Sequence, residues 1–151
     1  MSPGPTSIPE GAVVSTVHYR VPFFDTDAMG IVHHANYIRY LEIARIRWLE
    51  EHHQRYLLYT KQGIHFATTR VEVDFVKPTR FDDTLEIRAW LDWVRGASLH
   101  LAYEISHDGD RVTTASTTHA VVNNEGRVRR LPKDRFEELR TLALHPGPKA
   151  L

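Results

Sequence analysis

The stretch FFDTDAMGIVHHANYIRYLE, Phe23 to Glu42, places two aspartates, a glycine and two adjacent histidines just ahead of a strongly helical run. A carboxylate can attack an acyl carbon or take a proton from water. The first turn of a helix leaves amide N–H groups unpaired and carries the positive end of the helix dipole. Such an end can stabilise the oxyanion that develops when an ester or thioester carbonyl is attacked. Asp25 and Asp27 are the carboxylate candidates, and Gly30 permits a positive-φ turn or close approach of a ligand. The same residues have plain structural uses: Asp-x-Asp can cap a turn, and His33 and His34 can be packed or solvated. On its own the stretch reads as an acid/base site at a helix start. The chain has 10 histidines and no cysteine. Thiolate nucleophiles, disulfides and cysteine metal sites are therefore excluded. No His-Glu-x-x-His or similar ligand spacing occurs, so no metal site is expected.

These groups need elements to hold them. From about Asn36 to His53, Tyr37, Leu41, Ala44 and Trp48 recur at i, i+4, i+7 and i+11, a single helical stripe. Ile38, Tyr40, Ile43, Ile46 and Leu49 widen that stripe, so the helix must be mostly covered. Elsewhere the pattern has period two. Val13, Ser15, Val17, Tyr19 and Val21 alternate with polar neighbours; so do Val71, Val73 and Phe75; Leu85, Ile87, Ala89, Leu91 and Trp93; and Leu99, Leu101, Tyr103 and Ile105. A Val/Thr/Ala-rich run from Val112 to Val122 is the fifth. Period two predicts strands with one buried face. The Asp-Gly of HDGD (107–110) and the glycine of VRGAS (94–98) predict tight turns, so the last four strands are mostly antiparallel. Pro132 opens a short helix with Phe136 and Leu139 on its apolar side. The order strand, helix, four strands, short helix predicts an α+β fold in which a five-stranded antiparallel sheet wraps the long helix.

A chain of 151 residues, 42% hydrophobic and 10% aromatic, suits one globular domain. Residues 1–11 read as a disordered tail, 12–143 as the single domain and 144–151 as a flexible tail, from their proline and glycine content. The N-terminus lacks the pattern of a signal peptide, and no run approaches the ~20 apolar residues of a membrane span. With 19 basic and 19 acidic residues, no net charge draws the chain to nucleic acid. A cytoplasmic location is expected.

DTDAMGIVHHANYIRYLEIAR resembles the signature of the 4-hydroxybenzoyl-CoA thioesterase family of hot-dog-fold proteins, and most closely its Tol-Pal-associated branch of acyl-CoA thioesterases. The matching residues are Asp25, Thr26, Asp27, Gly30, His34, Ala35, Asn36, Tyr37, Glu42, Ala44 and Arg45, with KPTRFDD (77–83) as a second match. The resemblance spans roughly residues 14–142. It implies a hot-dog fold and hydrolysis of an acyl-CoA thioester, with no cofactor beyond the CoA of the substrate. Asp27 matches the catalytic carboxylate, as nucleophile or general base. His34 matches the helix-start residue whose backbone N–H polarises the thioester carbonyl. Asn36 and Tyr37 match residues shaping the helix start, and Arg95 with Gly96 lies where the family binds nucleotide phosphates. His33 departs from the family's usual Tyr or Phe. Asp25, two residues before Asp27 on an extended chain, is expected to face the same way and to hold the loop.

The resemblance also implies a homodimer or homotetramer, with sheets joined edge to edge and a site between subunits. Two alternatives compete with the hydrolase. A hot-dog dehydratase would use a different histidine and carboxylate motif, which is absent here. A non-catalytic acyl-CoA or acyl-carrier binding module would keep the fold without turnover.

Overall fold

The computed structural model describes residues 6–147. The elements run β1 (Val14–Arg20), a 3-10 turn (Phe23–Asp25), α1 (Asn36–His52), α2 (Tyr56–Lys61), β2 (His65–Phe75), β3 (Thr84–Val94), β4 (Ser98–His107), β5 (Asp110–Val122) and α3 (Lys133–Leu142). The predicted long helix, five strands and C-terminal helix are all present, with Pro132 as the cap of α3. Helix α2 has no counterpart in the sequence reading, because six residues are too few to display a helical period.

All strand pairs are antiparallel, and the sheet order is β1-β3-β4-β5-β2. The β2 strand therefore crosses the whole sheet to pair with β5 on its far side. Register shifts at Thr68/Arg70, Leu91/Trp93 and Ile105/Ser106 interrupt the ladders. Such bulges bend and twist a sheet, and here they curl it about the helix. One of them corrects a predicted face. Leu85, Ile87, Ala89 and Leu91 are buried inward, but the shift after Leu91 turns Trp93 outward, where it stacks on His100 at 5.4 Å. The inward series resumes at Val94.

The α1 helix buries Tyr37, Tyr40, Leu41, Ala44, Trp48 and Leu49 and packs chiefly on β1 and β3. Trp48 cannot be sealed in an apolar core with its N–H unpaired; it donates to the carbonyl of Val13 at 2.8 Å, fastening the helix to the start of β1. At the other end, His53 bridges Tyr59 of α2 and Glu138 of α3. That contact ties all three helices together.

The segments expected as tails fall partly outside the described residues, which exclude 1–5 and 148–151. Within them, Thr6 and Ser7 hydrogen-bond to the buried Glu104 on the outer face of β4. Leu144 and His145 donate backbone hydrogen bonds to Leu91 and Asp92, at the β3 bulge.

His119 on β5 is fully buried, between Thr117 Oγ1 at 2.8 Å and Thr68 Oγ1 at 3.2 Å. Burial, reinforced by Arg45 and His100, pushes its pKa from 6.5 down to about 3. The unfolded chain therefore binds this proton first as pH falls. Stability is lost on acidification below the unfolded value, by up to ~1.4 kcal/mol per pH unit until the folded value is reached. We expect denaturant midpoints to fall between pH 6.5 and 4, and His119→Gln to flatten that slope by about one proton's worth. Equal slopes in the two proteins would refute the assignment.

Candidate active site

The turn after β1 departs from an extended chain. Pro22 precedes a single 3-10 turn, closed by the Asp25 amide donating to the Pro22 carbonyl at 3.1 Å. This turn separates the two aspartates. The Asp25 side chain is completely buried, whereas Asp27 is partly exposed. The expectation that both face one way is thus corrected. Asp25 points into the body of the protein, where its Oδ2 accepts hydrogen bonds from Tyr19 at 2.9 Å and Tyr40 at 2.6 Å.

Asp27 opens a tight loop. Its amide donates to the Ile31 carbonyl and its own carbonyl accepts from Gly30, both at 2.9 Å. Gly30 has φ +78°, the left-handed region that only glycine enters freely. The loop is pinned from outside by the Val32 amide donating to Thr79 at 2.8 Å and by a bridge between Ile31 and Arg80. Asp27 Oδ1 accepts from the Met29 amide at 2.8 Å. Its Oδ2 has no hydrogen-bond partner, and no cation lies in ion-pair range of Asp27, among the described residues.

The approach to α1 is equally defined. The amides of His33, Ala35, Asn36 and Tyr37 each have an acceptor: the Asp25 carbonyl, His33 Nδ1, and the carbonyls of His33 and His34. Among the described residues the amide of His34 alone in this run has none. The two histidine rings stack at 4.2 Å.

Asp27, His34 and Tyr37 line one cavity of about 350 Å³. Its other walls are Met29, Ile31, Val32, Phe75, Val76, Lys77 and Pro78, mostly apolar. Phe75 was legible as an inward residue of its strand. The rest were not, because the wall is assembled from the loop and from the segment after β2, which meet through the Val32–Thr79 hydrogen bond and the Ile31–Arg80 bridge, contacts between residues distant in the chain. The Tyr37 hydroxyl shares a 2.6 Å hydrogen bond with buried Thr79, and burial raises its pKa above 10.0. Tyr37 therefore stays protonated at neutral pH.

Gly30 and Asn36 shape this site without lining the cavity. Asn36 donates from Nδ2 to the Asp25 carbonyl at 2.8 Å and accepts from Arg39 at 3.1 Å. Arg95 and Gly96 lie elsewhere, in a second cavity of about 880 Å³ that also includes Ser98, Arg130 and Arg140. That cavity sits past the end of β3, whereas the Asp27 loop is pinned just before its start. Ten residue steps of strand separate the two ends by roughly 33 Å. Among the described residues no cluster of His, Asp and Glu is arranged to hold a metal ion, and no helix is long and apolar enough to cross a membrane.

Residues 21–142 match the thioesterase-like superfamily. The Escherichia coli O6:H1 protein named acyl-CoA thioester hydrolase YbgC is 38% identical over 80 residues, which is 53% of this chain and 60% of that protein. A hypothetical protein from Thermus thermophilus superposes with a TM-score of 0.83 at 29% identity, over 88% of this chain and 100% of that one. The 4-hydroxybenzoyl-CoA thioesterase of Pseudomonas sp. strain CBS-3 superposes with a TM-score of 0.75 at 25% identity, over 83% of this chain and 98% of that one.

A side chain at position 30 would meet nothing within 4 Å, so Gly30→Ala isolates the conformational requirement. It should cost roughly 1–2 kcal/mol of stability, the penalty of a left-handed L-residue. An unchanged urea midpoint would show that the loop relaxes freely.

Proposed function

The chain belongs to the thioesterase-like superfamily, and on that premise we propose that it hydrolyses an acyl-CoA thioester to free acid and CoA, as a hot-dog enzyme of the Tol-Pal-associated branch acting in the cytoplasm. The observation that carries this reading is the meeting of a carboxylate oxygen without a partner, on Asp27, and an amide without an acceptor, on His34, in one largely apolar cavity.

The thioester carbonyl oxygen sits against the His34 N–H. Negative charge on that oxygen grows towards the transition state, so the helix end stabilises the transition state more than the bound substrate. Two routes use the same groups. In one, Asp27 attacks the carbonyl carbon, the C–S bond breaks, CoA thiolate leaves, and water then hydrolyses the acyl anhydride. In the other, Asp27 takes a proton from water as the hydroxyl attacks the carbonyl carbon, and the thiolate leaves to be protonated. The Met29 amide bound to Oδ1 orients the carboxylate in either route.

The substrate's nucleotide phosphates suit Arg95 and the Gly96 turn, but one chain holds these too far from Asp27. The open edge of the sheet resolves this. The 11-residue strand β2 has one paired side only, and Phe75 and Val76 at its end are about half exposed. Unpaired edges invite pairing. A second copy joined antiparallel along β2 is rotated by half a turn, so the partner subunit's Arg95 comes to this chain's Asp27 end. A homodimer, or a tetramer of such dimers, then completes the site.

Asp27→Asn should lower thiol release from a panel of acyl-CoAs by about 100-fold or more, the usual worth of a positioned general base. Near-wild-type turnover would remove Asp27 from the mechanism; acyl-CoA binding without thiol release would favour a binding module. Sedimentation at micromolar concentration should give a multiple of the 17.4 kDa chain mass. A monomer would contradict the shared site.

A further inference from the structure

The Asp25 carboxylate is fully buried, yet Oδ1 makes no hydrogen bond among the described residues, and its nearest cation, Arg39 Nη1, is 3.7 Å away. A buried carboxylate with an unsatisfied oxygen is often no more stabilising than a well-packed apolar group of the same size. Fold stability therefore does not account for it, and its contacts suggest what does. Oδ2 takes one hydroxyl from β1, Tyr19, and one from α1, Tyr40. The two rings pack with centroids 4.7 Å apart, and Tyr40 lies 5.5 Å from the cavity-lining Tyr37. The carbonyl of the same residue accepts from the His33 amide and the Asn36 side chain, at 2.9 and 2.8 Å. These flank His34. Asp27 lies two residues beyond Asp25, at the start of the loop that leads to them.

Residue 25 is thus the joint between the carboxylate loop and the helix start. We propose that Tyr19 and Tyr40 are positioning residues: by holding the Asp25 carboxylate from two rigid elements, they set the gap between Asp27 and the His34 amide. This rests on the roles given to Asp27 and His34 above. Burial, followed by the hydrogen bond to Asp25, raises the pKa of the Tyr40 phenol far above its ordinary value, so it stays protonated and donates at neutral pH.

The test compares Tyr40→Phe with the double variant Tyr19→Phe/Tyr40→Phe. Thiol release supplies kcat and KM, and amide hydrogen exchange reports on the loop directly. The double variant should stay folded, keep KM within about twofold and lose about 10- to 100-fold in kcat, as a small misplacement of reacting groups does. Exchange at the His33 amide should quicken by about tenfold or more while Leu99 and Leu101 of β4 are unchanged. The single Tyr40→Phe variant should show the same changes in smaller measure, which keeps the question decidable if the double variant does not fold. Wild-type kcat and wild-type His33 exchange in a folded double variant would overturn the positioning role alone. So would a kcat loss accompanied by faster exchange throughout the sheet, which signals general destabilisation. A wild-type chain that released no thiol from any acyl-CoA would overturn the hydrolase reading, and this proposal with it.

Discussion

The Asp25 carboxylate, enclosed by the hydroxyls of Tyr19 and Tyr40, is where the strand, the loop and the helix of this protein are joined. A short polar loop between two elements would ordinarily be free to move. Here one residue is gripped at its side chain by β1 and α1, and its carbonyl grips the residues on either side of His34. The placing of Asp27 and the His34 amide is therefore referred to the rigid sheet and helix rather than to the loop.

This arrangement divides labour between two carboxylates of the same motif. The 3-10 turn at Phe23–Asp25 sends one inward and leaves the other at the cavity. Asp25 is sealed from solvent; Asp27 keeps one oxygen bound to the Met29 amide and the other without a partner among the described residues. The buried carboxylate and the cavity carboxylate are separated by a backbone turn that spans only two residues. The proposed assembly has the same logic on a larger scale. One end of the sheet carries the carboxylate cavity and the other the arginine-lined cavity, and the proposed antiparallel pairing at the β2 edge would place both kinds of surface together.

Much of this was legible before any coordinates. The helical stripe of Tyr37, Leu41, Ala44 and Trp48 and the period-two runs predicted the elements, because burial of one face imposes those periods. The Asp-x-Asp, glycine and helix start within one short stretch singled out residues that the fold brings to one cavity, Asp27, His34 and Tyr37. Trp93 was placed on the wrong face, since a one-residue bulge reverses every side chain that follows and leaves no mark in composition. Likewise, nothing in DTD distinguishes an extended segment from a 3-10 turn, so the opposite fates of Asp25 and Asp27 stayed hidden.

By itself the sequence determined the element types, the helix that must be covered, the candidate carboxylates and the glycine that closes their loop, because these follow from local periodicity and from conformational limits within a few residues. Tertiary structure alone decided that β2 pairs with β5, that Tyr19 and Tyr40 converge on Asp25, and that Phe75 and Pro78 wall the cavity beside His34. Those contacts join residues distant along the chain, and their partners are selected by packing of the whole sheet on the helix, a constraint that no single stretch of sequence carries.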